Sequence, residues 1–175
     1  GRMDAIINNA GIIEPIARIA ESPVADWQKN ITINVLGPMM LTQAALPHLR
    51  ERRGRVINVS SGAAVKAIQG WGAYCTSKAA LNHFTRILAV EEAEIITLSF
   101  RPGVVDTAMQ KAIRQDGSAG MAAEKHANFV KLHEDQVLLP PDKPGRALAL
   151  LALKAPHAWS GEFIQWDDER IQALV

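Results

Sequence analysis

A doubly wound α/β fold on a parallel sheet is the architecture this sequence predicts, and three observations carry it. Short β-type runs alternate with long helical ones in the order strand, helix, strand, helix, strand, helix, strand. The first three short runs lead into small or polar residues, Asn8-Asn9-Ala10-Gly11, Ser60-Ser61-Gly62 and Pro102-Gly103, at the strand end where open α/β sheets gather their ligands. No repeat, low-complexity tract or linker-like stretch divides the 175 residues, so a single domain spanning residues 1–175 is expected.

The elements follow in order. Met3-Asp4-Ala5-Ile6-Ile7 is a brief apolar run ended by Asn8-Asn9. After a proline-containing loop, Asp26 is placed to cap a helix that carries Trp27, Ile31, Val35, Met39 and Leu46 at roughly helical spacing. Gly54-Arg55 leads into a second strand, Val56-Ile57-Asn58-Val59. A helix over residues 72–91 follows, with Leu81, Phe84 and Leu88 along one face. Ile95 to Phe100 reads as a third strand, broken by Pro102-Gly103. Pro140-Pro141 ends a looser helical region, and Pro144 stands in the first turn of a helix running to about Lys154. Residues 161–166 form the last strand.

Composition excludes several classes. With 48% hydrophobic and 21% charged residues the chain reads as an ordinary globular protein. A net charge of +1 gives no reason to expect nucleic acid or an anionic membrane as partner. The most apolar stretch, Ala147 to Leu153, is far below the roughly 18 residues of a membrane span. The N-terminal residues do not resemble a signal peptide, and the one cysteine, Cys75, excludes an internal disulfide; both fit a reducing, cytoplasmic setting. On that expectation the sequons at Asn30 and Asn58 are chance.

The chemistry starts with Tyr74-Cys75-Thr76-Ser77-Lys78. Residues four apart share a helix face. A tyrosine that exchanges a proton near neutrality must come down about three units from ~10, roughly 4 kcal/mol. One ammonium at ~4 Å, in an effective dielectric near 20, supplies about that much. Alone, such a pair is usually surface decoration. Its neighbours change the weight: hydroxyls at Ser60 and Ser61 after one strand, amides and a glycine at Asn8 to Gly11 after another, and Pro102-Gly103-Val104-Val105-Asp106-Thr107 after a third. A serine hydrolase is disfavoured, because Asn-Val-Ser-Ser-Gly is not the Gly-x-Ser-x-Gly elbow and no histidine lies near in sequence.

Taken together, Asn-Asn-Ala-Gly, Asn34 in Asn34-Val35-x-Gly37, Ser-Ser-Gly, Tyr-x-x-x-Ser-Lys and Pro-Gly-x-Val-x-Thr closely resemble the short-chain dehydrogenase/reductase family. The separations agree, with Tyr74 13 positions after Ser61 and Ser61 27 after Asn34. The final Gly-Glu-Phe-Ile-Gln-Trp-Asp-Asp and Ser-Phe-Arg-Pro-Gly look most like carbonyl reductases near sepiapterin and benzil reductases, fungal ones especially. The resemblance implies a Rossmann-type fold and a hydride transfer between a nicotinamide cofactor, NADP by preference, and a small apolar ketone or diketone. It implies Tyr74 as general acid, Lys78 lowering its pKa and bonding the nicotinamide ribose, Ser61 holding the substrate oxygen, and Asn34 holding a relay water. Asn8, Ala10 and Gly11 would line the adenosine and ribose side, and Pro102, Gly103, Val105 and Thr107 the nicotinamide. Residues 106–136, with Met109, Met121 and Phe129, would form a substrate lid to which Trp71 could contribute, with His126 and His133 at the surface and Cys75 off the active face. The helices holding Asn34 and Tyr74 would form a homo-oligomer face.

Against the family pattern, the chain opens on what resembles the fourth strand. The first three strands and the glycine-rich cofactor turn, roughly 80 residues at ~30 per strand-helix-strand unit, are not in the sequence. Gly70-Trp71-Gly72-Ala73-Tyr74-Cys75 does not replace that turn, since it follows no strand. A fragment with an exposed edge, weak cofactor binding and little turnover is therefore expected. The competing expectation is a non-catalytic family member.

Overall fold

The computed structural model describes residues 2–175. Four strands, β1 (Ala5–Asn8), β2 (Arg55–Val59), β3 (Ile96–Arg101) and β4 (Phe163–Gln165), pair in parallel in sequence order. Parallel neighbours need a crossover between them. Between β1 and β2 run α1 (Val24–Ile31) and α2 (Gly37–Arg52), joined by five residues of π-helix, Thr32–Leu36. The helix α3 (Gly72–Glu91) links β2 to β3. Three more, α4 (Ala108–Asp116), α5 (Ala123–Glu134) and α6 (Asp142–Lys154), lie between β3 and β4, and α7 (Glu169–Gln172) follows.

Alternation along the strands sorts side chains onto two faces. On one, Ile57, Val59, Ile96, Leu98 and Phe100 pack against Ala147, Leu151 and Ala152 of α6. On the other, Val56 and Ile95 pack against Ala45 and Leu49 of α2 and Leu88 of α3. Helices thus cover both faces, the doubly wound arrangement the sequence predicts. Val56, Ile57 and Leu98 are fully buried, as strands covered on both sides require. Among the described residues β1 has β2 as its one partner, and Ile7 on it is 41% exposed. No helix among them is long and apolar enough to cross a membrane.

Two expectations for the helix after β1 are corrected. Asp26 does not cap it: α1 starts at Val24 behind Pro23, and Asp26 lies inside the first turn, where a carboxylate still favours the free amides. Its evenly spaced apolar residues are not its inner face either. Trp27, Ile31, Val35 and Leu46 are half-buried and Met39 is exposed, while Asn30, Asn34, Pro38, Thr42, Ala45 and Leu49 are buried at steps of three or four.

That inner face is polar because it meets polar partners on the sheet. Asn8 Nδ2 donates to Thr42 Oγ1 (3.1 Å) and to Asn58 Oδ1 (2.8 Å). Asn58 Nδ2 donates in turn to Thr85 Oγ1 (2.9 Å), which also accepts from Ser99 Oγ (2.8 Å). A buried hydrogen-bonded chain therefore runs from α2 across three strands to α3. Inside a low-dielectric core, leaving one such group unpaired costs about 1–3 kcal/mol.

Candidate active site

The first three strands end on one rim, and α3 begins there. Ser60 continues the ladder, its N–H donating to Phe100 O (2.7 Å), while its buried Oγ has no partner. Ser61 leaves the sheet and caps a short turn, Gly62–Ala64, its Oγ accepting from Ala63 N at 3.2 Å. Tyr74 and Lys78 stand one turn apart on the inner face of α3, 6% and 3% exposed. Lys78 Nζ donates to Val59 O at 2.8 Å and lies 5.7 Å from the centre of the Tyr74 ring.

Burial is the largest influence on both groups. Burial pushes the Tyr74 phenol up from 10.0, and the Ser61 side chain facing it offsets part of that rise. Burial also brings Lys78 down to about 8. Its ammonium is directed at the Val59 carbonyl and stands to one side of the tyrosine ring.

Asn34 is a clamp. Its Oδ1 accepts from Ile12 N (2.8 Å), and its Nδ2 donates to Ile12 O (2.8 Å), Asn30 Oδ1 (3.1 Å) and Ser77 Oγ (3.1 Å). Asn30 adds a bond to Glu14 O (2.7 Å). The pair ties the loop after β1 to α3, and the π-helix sits at this point, a common position for such bulges at functional sites. The side chain is engaged with protein partners on the loop after β1, on α1 and on α3. The sequence signal that could have found Asn30 is its four-residue spacing from Asn34. We expect Asn34→Ala to destabilise the fold by about 2–4 kcal/mol, read as an earlier urea midpoint with an unchanged slope, because the links to Ile12, Asn30 and Ser77 are lost at once.

The remaining predicted residues fall around the same rim. Gly11 faces Asn34 and Lys78: a Cβ there would stand 3.1 Å from Asn34 Oδ1 and 3.4 Å from Lys78 Nζ. Asn8 turns its amide nitrogen into the sheet, leaving Oδ1 buried without a partner, and with Ala10 it borders a cavity of about 120 Å³ against α2. A larger hollow of about 390 Å³ lies elsewhere, bounded by Arg53, Glu94, Ile96 and His157, and holds none of the motif residues. Gly103 has φ +82°, and a Cβ would fall 2.6 Å from Leu139 and 2.9 Å from Trp166. Val105 bridges Leu139, and Pro102 lies half-buried on the same segment. Thr107 precedes α4 exposed, its Oγ1 donating to Val105 O at 3.3 Å.

Over Tyr74 lies an apolar cluster of Ile13, Ile16, Ala63, Trp71, Ile113, Met121 and Phe129, with Met109 at its margin. Trp71 meets the Tyr74 ring edge-on, centroids 5.9 Å apart, and packs at 5.3 Å on Phe129. Within residues 106–136, Ile113, Met121 and Phe129 therefore pack into the cluster that holds Tyr74. His126 is not a surface residue: it is half-buried, with Nε2 2.9 Å from Arg114 O, while His133 is exposed. Cys75, half-buried beside the cluster, donates Sγ–H to Lys66 O, and burial pushes its thiol up.

Comparison with known proteins agrees with this geometry. The family model for short chain dehydrogenase matches residues 1–118. A benzil reductase ((S)-benzoin forming) of Saccharomyces cerevisiae is 38% identical, covering 98% of this chain and 69% of the relative. One from Bacillus cereus is 40% identical over 93% and 67%. A crystal structure of a Saccharomyces cerevisiae short chain dehydrogenase/reductase superposes with a TM-score of 0.96 at 37% identity, covering all of this chain and 70% of that one. The chain belongs to the short-chain dehydrogenase family, nicotinamide-dependent oxidoreductases that interconvert carbonyls and alcohols.

Proposed function

We propose that this chain carries the catalytic part of an NADPH-dependent reductase of small apolar ketones or diketones, with residues 1–175 acting as one domain. The observation that supports it most is the convergence of Ser61, Tyr74 and Lys78 at the rim of the sheet beside Gly11. Ser61 holds the substrate oxygen and Tyr74 delivers a proton to it as it becomes an alkoxide. The raised phenol suits this direction, since it stays protonated through the neutral range.

The residues present fit a nicotinamide cofactor on its reactive side. The absent Cβ at Gly11 keeps the approach to Lys78 open, and Lys78 Nζ has one protein partner for three donors. The orphaned Asn8 Oδ1 is an acceptor on the same side. When bound, the cofactor supplies the hydride. Lys78 would hold its ribose; Asn8, Ala10 and Gly11 would line the adenosine and ribose side; and Pro102, Gly103, Val105 and Thr107 would border the nicotinamide. Asn34 keeps the loop carrying Gly11 against α3. The described residues include no glycine-rich turn from strand to helix for the pyrophosphate.

The apolar cover of Trp71, Met121 and Phe129 supports an apolar, aryl-bearing substrate, and the benzil reductases among the relatives support a diketone. Met39, Met40 and Leu41 are exposed on α2, which supports a homo-oligomer through that helix in a cytoplasmic protein. The test follows NADPH absorbance with benzil as substrate. Consumption stoichiometric with hydroxyketone formed carries the proposal. Saturable NADPH binding without turnover, or no binding at all, would leave the non-catalytic reading.

A further inference from the structure

The apolar cluster around Tyr74 holds a buried donor that nothing above uses. Six buried side-chain polar atoms among the described residues lack a partner, and four belong to elements around Tyr74: Ser60 Oγ, Trp71 Nε1, Gln110 Oε1 and Arg114 Nη1. Ser60 precedes Ser61, Trp71 stands three residues before Tyr74, and Gln110 and Arg114 are one turn apart on α4. A buried group left without a bond carries a free-energy cost, so such a cluster marks where a ligand with its own polar atoms would be accepted.

Trp71 is the member with a fixed direction. An indole N–H only donates, so no rotation lets it serve as an acceptor. Its ring is 5% exposed and held by two aromatic contacts, edge-on to Tyr74 and tilted on Phe129. A serine hydroxyl, a glutamine amide or an arginine can swing to another partner, whereas this indole cannot. At the start of α3 it lies on the side of Tyr74, where residues three apart are neighbours.

Resting on the reading of this site as a carbonyl reductase, we infer that Trp71 Nε1–H donates to a second oxygen of the substrate, on the carbon next to the reacting carbonyl. The first oxygen stands between Ser61 and Tyr74, and the neighbouring one takes the indole donor. The site then distinguishes vicinal diketones from monoketones of the same shape. The discrimination follows from a buried donor that a monoketone leaves unpaired, the situation that gives large selectivity in polar sites.

The test uses benzil and its monoketone counterpart deoxybenzoin on the whole chain without cofactor, so that binding is read separately from turnover. Indole N–H resonances of ¹⁵N-labelled protein are followed during titration, with Trp71 assigned by its loss in Trp71→Phe. The expected result is a downfield move of the Trp71 signal with benzil and little with deoxybenzoin. In Trp71→Phe, benzil binding weakens about tenfold, the equivalent of roughly 1.4 kcal/mol, while deoxybenzoin changes less than about threefold. A Trp71 signal that stays in place at high benzil concentration, or equal losses for both ketones, overturns the inference and leaves a buried water as the indole's partner. Circular dichroism of Trp71→Phe separates loss of the donor from loss of fold; if that variant melts early, the wild-type titration alone decides. Benzil bound through Trp71 without hydride transfer would sink the reductase reading and not this one. Reduction of both ketones unchanged in Trp71→Phe would do the reverse.

Discussion

Replacing Tyr74 by phenylalanine is expected to lower kcat for carbonyl reduction by about 10²–10⁴-fold, the range a positioned general acid supplies. The fold should hardly notice. The phenol is neutral in its buried place, and the change removes one hydroxyl and its interaction with Ser61, a difference of about 1 kcal/mol. The ring keeps its edge-on contact with Trp71. Substrate binding should therefore survive while turnover is lost, so KM and the melting temperature stay near wild type as kcat falls. A variant that retains more than a tenth of kcat would remove Tyr74 from the chemistry. Loss of fold with loss of activity would leave the acid role without support from this variant.

Lys78 gives the second large effect, and it runs in opposite directions for stability and activity. Holding its ammonium in a site where its pKa is about 8 instead of 10.5 costs roughly 3 kcal/mol at neutral pH. The folded state releases its proton more readily than the unfolded one, so between about pH 8 and 10.5 the unfolded chain binds more protons and stability rises with pH. Tyr74, shifted the other way, makes a contribution that is present below 10.0 and is lost only above it. Cys75, raised from 9.0, adds an opposing loss of stability above about pH 9, so the lysine's rise is cleanest between about pH 8 and 9. Lys78→Met removes the buried charge and forfeits the bond to Val59 O, so a net gain of about 1–2 kcal/mol is expected at pH 7, vanishing towards pH 10. Activity should fall by about 10²-fold or more in the same protein. Wild-type kcat/KM for reduction should itself decline above about pH 8 as Lys78 loses its proton. Urea unfolding at pH 7 and pH 9.5, with and without the substitution, measures the stability arm; a less stable variant at both pH values would refute it.

The sheet was legible in the sequence because its first three strands are short β-type runs that lead into asparagine, serine or proline at one rim. The span of α3 was legible too, since Leu88 and Phe84 join the cluster against α2 and Leu81 is buried. The helix after β1 misled for a physical reason. Apolar periodicity finds an inner face only where that face is shielded from water by hydrocarbon, and here amides and hydroxyls bond to the sheet and to the loop after β1 while Met39, Met40 and Leu41 look outward. At the site, helical spacing pointed to Tyr74 and Lys78, strand ends to Ser61 and Gly11, and the family resemblance to Asn34. These signals could not reveal that Asn34 is spent on Ile12 and Ser77, nor that Lys78 aims at a carbonyl, because both depend on segments distant in the chain. His126 escaped for the same reason: its partner is the carbonyl of Arg114 on another helix.

The polar chain crossing the sheet does more than fill hydrogen bonds. Asn8 stands directly opposite Asn58, and Asn58 opposite Ser99, so the three residues form one row across β1, β2 and β3. A slip of one residue between β1 and β2 would set Asn8 against Ile57 or Val59 and bury amides facing hydrocarbon. Apolar strands rich in valine and isoleucine could tolerate several alignments; this row admits one. Because Ser60 and Ser61 follow two and three residues after Asn58, the same row fixes how far the Ser61 hydroxyl reaches past the sheet, and with it the meeting point of serine and tyrosine.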